Sequence, residues 1–149
     1  MTLTMLTPPA GSRRLSRLYR HLALWVLQSW LAMFYIAAGY AKLTQPHEML
    51  TVLMIWPAEA SQRTVQLIGW VELALAVGMV SPLISWRLFL RVMLIGGLGL
   101  TAEATLMAIY HAANQHLGLA LINAALALTG GMVIGGRMRE ATDADSASL

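Results

Sequence analysis

Long apolar stretches alternate with short polar connections along this chain. Four runs, at about 21–41, 64–84, 88–110 and 117–136, are almost free of charge. Each holds roughly 20 residues, enough for a helix ~30 Å long, which matches the hydrocarbon core of a bilayer. The runs are continuously apolar and lack the two-residue alternation of barrel strands. Helix is therefore the spanning structure they predict.

The connection between the first two runs is the longest. Within it Pro46 suits the first turn of a helix, Met49, Leu53 and Trp56 share a face, and Pro57 stops the pattern. A short helix at the membrane interface, with Trp56 at headgroup depth, fits this segment. The same pattern also fits a loop helix packed on the bundle ends. The expected fold is all-α: an integral membrane four-helix bundle with a short interfacial helix between the first two spans.

Small and polar residues form a stripe along each run. The stripes are Gln28, Ala32, Tyr35, Gly39 and Lys42 on the first, and Gly69, Glu72 and Ala76 on the second. They continue as Gly96, Gly99, Glu103 and Tyr110 on the third, and Ala120, Asn123, Ala124, Ala127, Gly131 and Gly135 on the fourth. Small residues let helices approach closely in lipid, and polar groups avoid the acyl chains. The stripes are therefore expected to converge inside the bundle.

Charge orients the arrangement. Arg13, Arg14, Arg17, Arg20, Arg87, Arg91, Arg137 and Arg139 fall on one side, and only Lys42 and Arg63 on the other. The positive-inside rule then places both termini in the cytoplasm, with the inner membrane of a bacterium as the expected location. Residues 1–20, rich in Arg and Ser and without acid, are read as a disordered cytoplasmic arm rather than a transit peptide. Residues 21–136 form the four-span bundle and 137–149 a flexible cytoplasmic tail.

Composition narrows the chemistry. Of 149 residues, 58% are hydrophobic and 11% are charged, where a soluble domain averages about 25% charged. The net charge of +3 is explained by topology, so no nucleic-acid partner is expected. With no cysteine, disulfides, thiol redox and thiolate-bound clusters are excluded. His111 and His116 stand five apart, on different faces if helical, and no HxxxH spacing occurs, so no metal site is expected. His21, His47, His111 and His116 read as interfacial, and the tryptophans as belt residues. No phosphate loop, hydrolase triad order or nucleotide fingerprint is present.

What remains is Glu72 and Glu103, two acids at membrane depth. An ionisable group there costs several kcal/mol unless a partner or water relieves it. Glu72 lies ~12 Å and Glu103 ~10 Å below the loop-side ends of their helices. Lys42 and Asn123 fall at similar depth, so Lys42, Glu72, Glu103 and Asn123 are expected to cluster. Tyr40 and Thr101, like Tyr35, are candidate donors nearby. One lysine against two glutamates leaves a surplus acid, to be met by a proton or a cation. The cluster reads either as a small-molecule or proton site or as an ion pair that fixes helix register.

The segment AAGYAKL closing the first run resembles the G-x-x-K signature of DoxX-like membrane proteins. The segment IGWVELALAVGMVSPLISWR resembles that family's second helix, where a glutamate precedes a Gly-containing apolar run and a basic turn. Gly39, Lys42, Glu72, Gly78 and Arg87 are the positions carried over. The resemblance implies a four-helix membrane bundle. Some members are linked to quinol oxidation in sulfur metabolism or to membrane partners of redox enzymes, and distant relatives resemble chaperones or cargo receptors. The expected role is a subunit or partner of a quinone-linked redox system. Glu72 and Lys42 would form the proton or charge centre, and Glu103, Asn123, Tyr35 and Gly39 would bind a headgroup. No resident cofactor is certain, and a bound quinone or lipid is the candidate. Membrane lipids and other membrane subunits, or further copies of the chain, are the expected partners. The alternative role is a non-enzymatic assembly factor or structural subunit. A small transporter is disfavoured in a chain this short without inverted repeats.

Overall fold

The computed structural model describes residues 10–146. Five α-helices follow one another: α1 (Ala10–Thr44), α2 (His47–Met54), α3 (Gln62–Val80), α4 (Trp86–Ala113) and α5 (Leu117–Ser146). Short 3-10 turns at Trp56–Glu59 and Ser81–Leu83 join α2 to α3 and α3 to α4. No strand occurs among the described residues. Helices α1, α3, α4 and α5 are each long and apolar enough to cross a membrane. The short α2 lies between the first two spans, where the turn signals predict it. One end of the bundle, the terminal end, carries the start of α1 and the end of α5. The other, the loop end, carries α2 and the α4–α5 turn.

The bundle is a chain of neighbours. Helix α1 packs on α3, α3 on α4, and α4 on α5, while the α1–α5 seam is the least extensive. Leu31, Ala32, Tyr35, Ala76, Met79, Leu100, Ala104, Leu126 and Val133 form the buried core. Large apolar residues such as Val26, Met33, Leu67, Val77, Ile95, Leu121 and Leu128 point outward. In a membrane-spanning helix such a surface contacts lipid, and no water-driven burial is needed to hold it there.

The first two polar stripes are buried throughout: Gln28, Ala32, Tyr35, Gly39 and Lys42 on α1, and Gly69, Glu72 and Ala76 on α3. The stripe on α5 is not. Ala120 is buried, but Gly131 and Gly135 face outward, with open space where a Cβ would stand. At 3.6 residues per turn, each step of four turns about 40° past a full circle. The run 127, 131, 135 therefore rotates off the inner face. The inner face continues instead through Leu126, Gly130, Val133 and Arg137.

The ends of the bundle also depart from expectation. Helix α1 starts at Ala10, within the segment read as an arm, whose first nine residues lie outside the described range. Helix α5 continues to Ser146, through most of the segment read as a flexible tail. Arg137, placed in that tail, is fully buried. In α2, Leu50 is the buried residue rather than Met49 or Leu53. Ile55 breaks the helix with φ 65°, a left-handed conformation that is a true outlier for a β-branched residue. This turns the chain so that Pro57 is buried.

Helices α1 and α3 meet at two glycines. A Cβ on Gly39 would stand 2.8 Å from the Gly69 carbonyl oxygen, and one on Gly69 2.9 Å from the Gly39 carbonyl. Both obstacles are backbone, which cannot step aside without moving a helix. Gly69→Ala is therefore expected to destabilise the protein by about 1–3 kcal/mol. Gly131→Ala, on the open face of α5, is expected to stay within about 0.5 kcal/mol of the parent. Unfolding titrations in mixed micelles check the difference, and equal losses would contradict the described packing.

Candidate functional site

The same crossing positions the charges. Lys42 follows Gly39 by one helical turn, and Glu72 follows Gly69 by one turn. Because the helices run antiparallel, each charged residue packs on the other's glycine. A Cβ on Gly69 would stand 2.9 Å from Lys42 Cβ, and one on Gly39 3.4 Å from Glu72 Cβ. The Lys42 ammonium donates to Glu72 Oε1 in an ion pair. Both side chains are nearly inaccessible, at 5% and 1% exposure.

The pair forms the floor of a cleft of about 380 Å³. Phe34, Ala38, Met107, Leu119, Ile122 and Leu126 give it apolar walls, and Leu53, Met54 and Trp56 roof it at the loop end. Tyr35, Glu103, His111 and Asn123 supply the other polar groups. Its exposed lining residues on the spans, Phe34 and Ala37 of α1 and Ile122 of α5, put its opening between those two helices. The side-chain bonds joining these two helices, from Arg20, His21 and Gln28 to Asp143, Glu140 and Arg137, all lie toward the opposite end. The seam is thus pinned at the terminal end and parted at the loop end.

The polar groups in the cleft are unevenly satisfied. Glu72 Oε2 is enclosed and accepts no hydrogen bond from an N–H or hydroxyl among the described residues. The Glu103 carboxyl lies beside Glu72 and within the field of Lys42. Tyr35 donates its hydroxyl to the Leu100 carbonyl at 3.0 Å, tying α1 to α4. Asn123 donates to the Leu119 carbonyl at 2.8 Å, which leaves its amide oxygen as an acceptor. The Lys42 ammonium also stands 5.9 Å from the Trp56 ring centre, within the range of cation–π attraction. Apart from Lys42, the cleft presents mainly acceptors. It carries two carboxyl groups against one ammonium.

Lys42, Glu72, Glu103, Asn123 and Tyr35 thus come together as the sequence reading expected. Gly39 does not line the cleft, and its place is the helix crossing. Tyr40 is 60% exposed, and Thr101 bonds its own helix at the Gly97 carbonyl, so neither serves the cluster. His111 was missed, although Glu103, Met107 and His111 recur at steps of four along one face of α4. Trp56, for which the sequence left open both an interface anchor and a place on the bundle end, stands beside Lys42 in the cleft.

A second polar cluster at the terminal end had no forecast. Arg137 Nε donates to Gln28 Oε1 at 2.9 Å, and Gln28 donates to the Met79 carbonyl. Arg137 also donates to Glu140 at 2.8 Å and lies 4.5 Å from the Trp25 ring centre. The Trp25 indole donates to His21 at 3.0 Å, and His21 stands 3.2 Å from Glu140. Trp25 and His21, half-buried, are therefore parts of a joint between α1, α3 and α5.

The family model described as the DoxX-like family matches residues 26–133. The chain belongs to that family. The matched span takes in the two middle membrane helices, the larger part of the first and fourth, and every residue of the cleft. No curated protein matches the chain, and no solved structure does.

Removing one member of a buried ion pair strands its partner, at a cost of about 3–5 kcal/mol. The two partners here are not equivalent. Lys42→Met leaves two acids without a cation, whereas Glu72→Gln leaves Lys42 beside Glu103. Lys42→Met is expected to be the more destabilising change, and Lys42→Met with Glu72→Gln is expected to recover much of the loss. A double-mutant cycle of unfolding free energies reads this directly. Equal losses in the two single variants would show that Glu103 does not share the lysine, and additive losses would contradict the ion pair itself.

Proposed function

We propose that this DoxX-like protein is a membrane subunit of a quinone-linked redox system, and that the cleft receives the head of a quinol. One observation carries the reading. An enclosed Glu72 carboxylate oxygen that meets no N–H or hydroxyl among the described residues, with the Glu103 carboxyl beside it, lies in an apolar-walled cleft. A buried acceptor left unmet costs about 1–3 kcal/mol. A ligand whose hydroxyls donate to these acceptors, and whose tail leaves between α1 and α5, removes that cost. A dihydroxy-aromatic head on an apolar chain has both properties.

In this reading Glu103, half-buried and the more accessible acid, meets the head first with the Asn123 amide oxygen. Glu72 takes or relays a proton, and Lys42 holds the charge of the carboxyl pair. Oxidation of one quinol to quinone releases two protons and two electrons. The protons pass to the carboxyl groups, and the electrons pass to a redox partner protein, because none of these side chains holds a redox centre. The concentration of arginines at the terminal end supports an orientation with both termini in the cytoplasm of a bacterium and the cleft toward the outer half of the inner membrane.

A second reading has its own support. Gly131 and Gly135 face outward on α5 and line a groove with Leu128, Met132 and Arg139. Close helix docking in lipid uses such surfaces, as an assembly factor or structural subunit would.

Purified protein titrated with a short-tailed quinol and with its oxidised quinone separates the two. The quinol is expected to bind more tightly, and Glu72→Gln or Glu103→Gln to weaken it about tenfold, or ~1.4 kcal/mol. Absence of binding by either form, with loss of a co-purifying subunit in Gly131→Leu, would favour the assembly reading.

A further inference from the structure

The turn between α4 and α5 holds two histidines in an arrangement that the quinol reading leaves unused. Helix α4 ends in a Schellman motif. His116 N–H bonds to the His111 carbonyl at 2.8 Å, and Gln115 N–H bonds to the Ala112 carbonyl at 3.1 Å. Gln115 takes φ 60°, at the position where glycine is usual because left-handed backbone strains other residues. The motif brings the side chains at its two ends into contact, and that contact is commonly apolar. Here it is made by two imidazoles, His111 and His116, with ring centres 5.9 Å apart in an edge-to-face geometry. The sequence spacing had put these residues on different helix faces. The helix ends between them, and the turn folds them together.

The two rings differ in surroundings. His111 is 2% exposed and lines the cleft with Glu103, Lys42, Glu72 and Asn123. His116 is half-buried at the loop end. The Nδ1 atom of each is enclosed and has no hydrogen-bond partner among the described residues. Tyr110 lies against His111 with ring centres 5.2 Å apart, and its hydroxyl is within reach of Glu59. Glu103 and His111 lie on one wall, two turns apart on α4, or ~12 Å along the axis. The cleft between them has room for several waters, each occupying ~30 Å³ in the liquid.

We propose that His111 and His116 form a proton path from the carboxyl pair in the cleft to the aqueous face at the loop end. A proton leaving Glu72 or Glu103 crosses the cleft on water to the His111 ring. It passes to His116 directly or through one water and leaves to bulk solvent. Each imidazole returns to its starting charge as it gains one proton and loses one. An imidazole exchanges protons readily near neutral pH, whereas the apolar pair usual at these positions cannot. The proposal rests on the cleft as the site of proton release, and it extends that reading to the direction of release.

The test uses no quinol, so it is independent of ligand identity. The full chain is reconstituted in vesicles with the loop end outward. Protonation of the carboxyl pair is followed by its infrared carbonyl stretch, assigned with Glu72→Gln and Glu103→Gln. After an external pH jump the band is expected to respond at least tenfold faster than after a jump on the terminal side. His111→Phe and His116→Phe keep the ring contact that caps α4 and remove the nitrogens. Each is expected to slow the response at least tenfold without changing its final amplitude, and added imidazole is expected to restore the rate in His116→Phe. Equal rates from the two sides of the parent protein would overturn the path, as would unchanged rates in both variants. A normal response together with no quinol binding would instead overturn the quinol reading and leave the path standing.

Discussion

An ion pair at membrane depth tolerates little slack. Water cannot repair a gap of an ångström there, and a lysine that loses its partner has no other cheap state. In this protein the distance is fixed by Gly39 and Gly69, not by the charged residues themselves. Each glycine makes room for the first carbon of the opposing charged side chain, so Lys42 and Glu72 leave their helices already facing. Two G-x-x-charge segments crossing antiparallel therefore act as a single unit. The G-x-x-K likeness of the first span is one half of that unit, and G-x-x-E in the second span is the other. The cleft, its surplus acid and the roof laid over it by α2 and Trp56 all build outward from this crossing.

The charge imbalance gives the cleft its chemical character. A buried lysine with one glutamate would be a closed structural pair, and replacing it by apolar residues of equal volume would cost little. Glu103 changes that balance. It brings a second carboxyl to one ammonium, against Glu72, and makes the cleft a place where protons or hydroxyl donors are wanted. The apolar walls and the open seam between α1 and α5 then decide what can bring them.

Much of this was legible in the order of residues, and the failures have physical causes. The stripes on α1 and α3 follow steps of four and three, which average near the helical repeat, and every residue in them is buried. The α5 stripe was followed in steps of four, which rotate outward, so Gly131 and Gly135 were assigned to the wrong face. Arg137 was read as a topological charge because a basic residue at the end of a span normally meets headgroups. No pattern in the sequence shows that Gln28 waits for it one hundred and nine positions away. His111 and His116 were separated by assuming one continuous helix. The capping turn that joins them uses Gln115 where glycine would have announced it.

The order of the chain gives the crossing a further consequence. Lys42 and Glu72, with both glycines, belong to the first and second spans. A hairpin of those two alone already contains a neutralised pair. The heaviest electrostatic cost of entering lipid can therefore be met before the rest of the chain has left the ribosome. The Gln28–Arg137 joint has no such early form, since Arg137 arrives last. During biogenesis, then, the charged floor belongs to the oldest part of the molecule, and the clasp that holds α1 to α5 belongs to its newest.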